Sequence, residues 1–296
     1  MSKKLSKITD SSFNGSYTYI MRVQKMGYTP LGQLPNAPLA YVLGVIDFDP
    51  RPDTEKHIAA LRESLLADYP RYQLPSEVRI ELEGGIPNSQ NRSTLRHEFS
   101  SADNRLGIIL TDRKLAFHAT AYTKYEAFIE RLTNSFMLIS DELKHLFMRR
   151  IGLRYIDAII PDEEKSPDDY VTPGLRNAPK LSLEYSMNAG VSISEFRLER
   201  GTFVIRYATG PGRIRLPPDL DSLSLAKPSI LQRNIDDHQR TGILDFDRFM
   251  SLEEPFDLAS IKRYMDLLHN DHSVAFREIT TATAKNAWSL PTKDSI

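Results

Sequence analysis

Two Asp-Phe-Asp segments carry residue types that could bind a metal ion. Asp245 and Asp247 belong to one segment, and Asp47 and Asp49 belong to the other. Residues i and i+2 of a β-strand lie on the same face, so each pair of carboxylates could hold Mg²⁺, which prefers oxygen ligands. Paired acids of this kind serve phosphoryl and nucleotidyl transfer. The sequence has no glycine-rich phosphate loop ending in Lys-Ser or Lys-Thr and no clear third acid, so ordinary solvent-facing acids are the simpler interpretation.

Two arginines in the middle of the chain could recognise an anion. Arg150 and Arg154 are four residues apart on a predicted strand and therefore share a face, with Gly152 between them. A phosphate or carboxylate could approach the backbone at the glycine, and guanidinium groups suit such anions. The alternative is structural, with the arginines paired across the sheet to acids such as Asp245 or Glu81. We favour the structural alternative, because opposite charges on neighbouring strands are common.

Basic residues concentrate in the middle third of the chain, and with interleaved aromatic residues they could form a nucleic-acid-binding surface. Acidic residues in the same region dilute them. The net charge of −1, from 38 basic and 39 acidic residues, provides no global attraction for nucleic acid. The basic set is Lys144, Arg149, Arg150, Arg154, Arg197, Arg200, Arg206, Arg213 and Arg215, and the aromatic residues are Tyr155, Phe203 and Tyr207.

One pair of histidines is close in sequence, His269 with His272. A three-residue spacing on a helix can chelate a metal ion, but no third or fourth ligand is evident nearby. His272 falls on the apolar stripe of a predicted helix, where a buried and hydrogen-bonded side chain is expected. We expect His269 to cap or pack rather than to catalyse.

Two long helical patterns and several strand patterns must position these residues. Apolar side chains recur at helical spacing over about 123–147 and about 257–279, with a capping box predicted at Thr123 and Glu126 and a cap at Asp257. Leu39 to Phe48, Met148 to Ile160 and a short stretch from Ile243 to Asp247 have strand character.

The pattern predicts an α+β fold. Largely antiparallel sheet is crossed by the two amphipathic helices, in two connected lobes. The N-terminal lobe comprises residues 1–147, and the C-terminal lobe comprises residues 148–296 with Pro-rich loops near 161–180 and 208–240. Residues 1–16 are predicted to be a loose polar arm, and Glu77 to Glu83 and Leu181 to Tyr185 are predicted strands.

Composition restricts the class of protein. The chain has 296 residues, of which 41% are hydrophobic, enough for a substantial core. The absence of cysteine excludes disulfides, thiolate zinc sites and cysteine nucleophiles. No signal-peptide pattern is present at the start and no apolar run approaches the roughly 18 residues of a membrane span. We therefore expect a cytoplasmic protein without membrane association.

The stretch from Arg150 to Asp157 resembles the signature of a sporadically distributed, functionally uncharacterised family of prokaryotic proteins. That family carries an Arg-Ile-Gly-Leu-Arg-Tyr-Ile-Asn block after a mid-chain helix, so Asp157 stands where Asn is commoner. Weaker matches occur in the same order over most of the chain. They are Pro38-Leu39, Phe99-Ser100 with Asp103, Leu110-Thr111, Leu115, Tyr122, Phe128, Gly242 to Asp247, His269, Phe276 and Thr280.

The resemblance implies no established activity and no catalytic residues. The patchy distribution of the family suggests accessory or mobile genes, such as antiviral defence or toxin-neutralising loci. We expect a non-enzymatic binding or accessory protein without a cofactor, which recognises another protein, encoded nearby, through its sheet edges and Pro-rich loops.

Two alternatives remain open. One is a Mg²⁺-dependent enzyme acting on a nucleotide or phosphate ester, centred on the paired acids and arginines. The other is nucleic-acid binding by the basic residues of the middle third. The candidate binding residues are Arg150, Arg154, Arg206, Asp245, Asp247 and His269.

Overall fold

The computed structural model describes residues 36–78, 82–83, 86–87, 93–162, 164–176, 189–221 and 225–289. The predicted polar arm and the predicted strand Leu181 to Tyr185 lie outside these residues. The predicted strand Glu77 to Glu83 lies partly outside them.

The described part of the chain contains thirteen strands. In chain order they are β1 (Leu39–Phe48), β2 (Arg71–Gln73), β3 (Ser76–Val78), β4 (Leu82–Glu83), β5 (Ile86–Pro87), β6 (Ser93–Leu95), β7 (His97–Ser100), β8 (Leu106–Leu110), β9 (Lys114–Ala119), β10 (Phe147–Ile159), β11 (Gly190–Leu198), β12 (Gly201–Pro211) and β13 (Arg240–Pro255). Nine of them form one sheet in the order β11-β12-β13-β10-β1-β9-β8-β7-β2. Every neighbouring pair in this sheet is antiparallel. Two separate two-stranded pairs are β3 with β6 and β4 with β5.

Helices and turns connect the strands. The α-helices are α1 (Ile58–Leu65), α2 (Tyr125–Leu143), α3 (Pro218–Asp221), α4 (Leu258–Ile279) and α5 (Ala282–Ser289). Short 3₁₀ segments are Thr54–His57, Pro167–Tyr170, Pro173–Leu175 and Ser229–Gln232.

The starts of the two long helices are stabilised differently. The Asp257 side chain accepts a hydrogen bond from the backbone N–H of Ser260 at 2.7 Å, which confirms the predicted cap of α4. The capping box predicted at Thr123 and Glu126 is wrong. The residue that precedes α2 is Lys124, and no side-chain hydrogen bond caps this helix.

Helices α2 and α4 pack on one face of the sheet, which we call the helix face. Gly44 in the central strand β1 permits this close approach, because a Cβ atom there would lie 2.4 Å from Leu132 of α2 and 3.3 Å from Met265 of α4. Leu132, Met265 and Leu268 are fully buried in this layer. Alternate residues of each strand point to this face, and the intervening residues point to the other.

The opposite face is partly covered by the chain between β12 and β13, and we call it the loop face. Side chains from this segment bury β1, β10 and β13 at one end of the sheet. They form one apolar cluster, made of Ala40, Tyr41, Ile156, Ala158, Ile214, Leu220, Leu225, Leu231 and Ile243.

The structure confirms the α+β class and the antiparallel sheet. Strands from both sides of residue 147 belong to the same sheet, and the described residues fall in one compact unit, so a division into two lobes is not confirmed. The strand predicted from Ile243 to Asp247 is much longer, since β13 spans 16 residues. Within the described residues, each helix is too short or too polar to cross a membrane.

Candidate functional site

A network of arginines and aspartates lies on the loop face across β10, β13 and β12. Arg154 of β10 donates two hydrogen bonds to Asp245 of β13, with Nε–Oδ1 and Nη2–Oδ2 distances of 2.8 Å each. It also bonds to Asp219 of α3. Arg206 of β12 donates from Nη1 to Oδ2 of Asp245 at 3.1 Å. The carboxylate of Asp245 therefore joins two arginines from two different strands.

The pKa values of this network follow from burial and pairing. Burial of Arg154 opposes its charge, but the hydrogen bonds that it donates to Asp245 and Asp219 outweigh burial and raise its pKa. Asp247 lies 4.0 Å from Arg206, and burial raises the pKa of its carboxyl group despite the neighbouring arginines.

Arg150 occupies a separate part of the same face. Its Nη1 atom lies 3.4 Å from Oδ2 of Asp47 on β1, and its guanidinium lies over the Phe249 ring, 4.2 Å from the centroid. A Cβ atom on Gly152 would lie 3.2 Å from Val45 and 3.3 Å from Phe249. These apolar side chains fill the space beside Gly152, so the glycine serves packing between strands.

The positions of these arginines and aspartates bear on two of the sequence hypotheses, the cross-strand pairing and the metal site. The cross-strand pairing of Arg154 with Asp245 is confirmed, and Arg150 pairs with Asp47, a partner that we did not predict. Across the residues that the structure describes, no cluster of three or more His, Asp or Glu side chains has the spacing of a metal site. Asp245 already accepts hydrogen bonds from two guanidinium groups, which a metal ion would have to displace.

His269 lies on the other face of the sheet, apart from the five other candidate residues. Its ring stacks on Tyr125 with centroids 3.9 Å apart, and its Nδ1 is 3.0 Å from the hydroxyl of Tyr155. Burial lowers the pKa of His269 to about 4, so the imidazole is neutral at pH 7. The expected packing role of His269 agrees with this geometry. His272 is also buried, and its two ring nitrogens face the carbonyls of Leu268 and Phe246 at 2.7 and 3.2 Å.

A buried polar group on the loop face was not predicted from the sequence. The hydroxyl of Tyr41 lies 2.5 Å from Nδ1 of His118, and both residues are at most 2% exposed. Burial lowers the pKa of His118 to about 3. Nearby on β7, Glu98 forms an ion pair with Arg96 at 2.6 Å. The sequence signal for this group was weak: His118 stands beside apolar residues in β9, and Glu98 lies in the short, mostly polar strand β7.

The basic residues of the middle third are divided among several places. Arg154 and Arg206 pair with Asp245, and Arg149 pairs with Asp49 at 2.6 Å. By contrast, Arg213 and Arg215 line a cleft on the segment that covers the loop face. These two arginines therefore lie apart from the paired arginines of the sheet.

The first Pro-rich loop is packed against the C-terminal helices. Within its described part, Pro167, Tyr170 and Val171 are buried. Tyr170 contacts Trp288 of α5 with ring centroids 5.9 Å apart, and Tyr207 donates a hydrogen bond to Asp168 at 2.8 Å. These contacts make this part of the loop a component of the core.

Strand β11 exposes apolar side chains at an edge of the sheet. Of the eight exposed large apolar side chains among the described residues, four lie on this strand. Val191 and Ile193 are 67% and 63% exposed, and Phe196 and Leu198 are 48% and 39% exposed. In the described part of the chain, β12 is the neighbour of β11 and the other long side of β11 is an edge.

Comparison with known proteins adds no assignment, because no family model and no curated protein matches the chain.

Proposed function

We propose that this chain is a non-enzymatic binding protein that recognises a partner protein through the edge of β11. The observation that carries the proposal is the exposure of Val191, Ile193, Phe196 and Leu198 along this edge. An exposed edge strand presents backbone N–H and C=O groups that can pair with an extended segment of another chain.

The composition of β11 favours such pairing. Proteins usually protect an edge strand by keeping it short or by placing proline or lysine on it. β11 is nine residues long and contains neither proline nor lysine. The strand therefore lacks the short length, the proline and the lysine that often discourage strand addition, and its charged residues are Glu195 and Arg197.

The side chains of β11 indicate the chemistry of the partner segment. The register with β12 places Val191, Ile193, Glu195 and Arg197 on the loop face, opposite Ala208, Arg206, Val204 and Thr202. A partner strand would complement this face with apolar residues opposite Val191 and Ile193, a basic residue opposite Glu195 and an acidic residue opposite Arg197, because cross-strand neighbours interact directly.

The charged network supports this proposal more than the enzyme alternative. Asp245 is 2% exposed and already paired with Arg154 and Arg206, so the network has the character of a structural link between strands. The family resemblance suggests that the partner is encoded by a neighbouring gene, in a defence or toxin-neutralising locus.

Site-specific photocrosslinking in the native host tests the proposal. A photoreactive phenylalanine analogue at Ile193 is compared with the same analogue at Leu66, which is 58% exposed and lies next to α1. We expect one protein to be crosslinked in stoichiometric amount from position 193 and not from position 66. Equal crosslinking from both positions, or a crosslinked second copy of this chain, would contradict the proposal.

A further inference from the structure

A cleft of about 580 Å³ lies on the segment between β12 and β13. Its walls come from two stretches, 213–216 and 227–232. The volume falls within the roughly 300–1,000 Å³ of small-molecule sites. The cleft is distinct from the β11 edge, so its role does not rest on the function proposed above.

The floor of the cleft is apolar and firmly attached to the sheet. Ile214 and Leu231 are 7% and 6% exposed and belong to the apolar cluster with Tyr41 and Ile156. The wall at 227–232 is closed by a hydrogen bond from Nε2 of Gln232 to the carbonyl of Lys227 at 2.5 Å. A floor that is held in place before a ligand arrives reduces the entropic cost of binding.

The rim of the cleft is basic. Arg213, Arg215 and Lys227 are exposed and contribute three positive charges. Over the residues that the structure describes, none of the three forms an ion pair with an acidic side chain, whereas Arg154, Arg206 and Arg248 each do. Guanidinium groups match phosphate oxygens in planar, two-bond geometry, and lysine adds a point charge.

From these features we propose that the cleft binds a small phosphorylated molecule with a flat apolar group, such as a nucleoside monophosphate or diphosphate. The phosphate groups contact Arg213, Arg215 and Lys227. The apolar group lies against Leu216 and Leu231. A phosphate monoester carries about −1.5 to −2 charges at pH 7, which the three cations can neutralise.

Isothermal titration calorimetry on the full-length protein tests the site, with AMP, ADP, adenosine and inorganic phosphate as probes. The variant Arg213→Gln with Arg215→Gln removes two rim charges. The control Lys124→Gln with Arg131→Gln also removes two exposed charges. Lys124 directly precedes α2, and Arg131 lies within it. All substituted side chains are exposed, so both variants should melt at the wild-type temperature.

We expect AMP or ADP to bind with saturation at one site per chain, and adenosine to show no saturable binding. The rim variant should weaken this binding about tenfold or more, and the control should leave it unchanged, because charge-assisted hydrogen bonds dominate the contact. The proposal is overturned if no nucleotide binds with saturation or if the rim variant binds as tightly as the wild type. Inorganic phosphate that binds as tightly as AMP would also contradict it, since the apolar floor would then contribute nothing. Tighter binding of a single-stranded oligonucleotide than of AMP would assign the cleft to nucleic acid instead.

Discussion

Arg154 and Asp245 form a two-point hydrogen-bonded pair across β10 and β13, with side chains 11% and 3% exposed. The pair connects β10, which carries Arg150 and Arg154, to β13, which carries Asp245 and Asp247. Both strands lie in the interior of the nine-stranded sheet, so removal of one partner would leave a buried charge without its counter-charge.

The first prediction concerns this pair. Asp245→Asn should lower the free energy of unfolding by about 3 kcal/mol, because it leaves the positive charges of Arg154 and Arg206 without their shared carboxylate. Urea unfolding followed by circular dichroism measures the change. Asp49→Asn removes the exposed partner of Arg149 and serves as the control, and it should leave stability unchanged. Equal loss in both variants would contradict the structural role of Asp245.

A second prediction concerns the helix face, where Arg248 bonds to Asp271 at 2.9 Å and both side chains are buried. Asp271→Ala should cost about 3–5 kcal/mol, because the guanidinium of Arg248 loses its counter-charge. The double variant Arg248→Met with Asp271→Leu should recover most of this loss, since it removes both charges together. Urea unfolding of the two variants checks the prediction. A double variant as unstable as Asp271→Ala would show that the loss comes from packing.

The third prediction concerns Asp157 of β10. Burial raises the pKa of its carboxyl group from the ordinary 3.8 to about 7. The unfolded chain therefore loses this proton at lower pH than the folded chain, and stability from this residue falls as pH rises from about 4 to about 7, by up to about 4 kcal/mol.

Asp157→Asn should abolish this dependence. Relative to the wild type, the variant should be more stable at pH 8 than at pH 4 by a few kcal/mol in unfolding free energy. Urea unfolding at both pH values measures it. A difference that is independent of pH would show that Asp157 titrates normally in the fold.

The fourth prediction concerns His118 and the loss of stability at low pH. Burial lowers the pKa of His118 from 6.5 to about 3, so its contribution to stability is complete above pH 6.5 and is lost as pH falls. Between pH 6.5 and pH 4.5 the loss from this residue should reach about 2 kcal/mol. His118→Gln should reduce the slope of stability against pH by about one proton over this interval. An unchanged slope, measured by thermal unfolding at several pH values, would indicate that His118 reaches solvent.

Part of the fold was predictable because its signals are local. The spacing of apolar residues predicted the class of fold and the adjacent strands β1 and β10. The cap at Asp257 also depends only on neighbouring residues. The capping box predicted at Thr123 was wrong because α2 begins one residue later, after Lys124. The Thr-x-x-Glu spacing alone does not determine where the helix begins.

Other features depend on register and position in the sheet. Asp47 and Arg150 are 103 residues apart, and antiparallel pairing of β1 with β10 brings them together. The alternation Val191, Ser192, Ile193, Ser194 would place valine and isoleucine in a core, yet both are exposed because β11 lies at an edge. Polar residues such as Arg248 and Ser251 concealed the full length of β13, since Arg248 is buried through its pairing with Asp271.

Hydrogen exchange on β11 tests the central claim most directly, once the partner captured at Ile193 has been purified. Strand addition at an edge should newly protect alternate backbone amides of Gly190–Leu198, because only every second N–H points away from β12. We predict this period-two protection when the partner is added, and none with the variant Val191→Lys plus Ile193→Lys. Binding of the partner that leaves every β11 amide exchanging at its original rate would contradict the account.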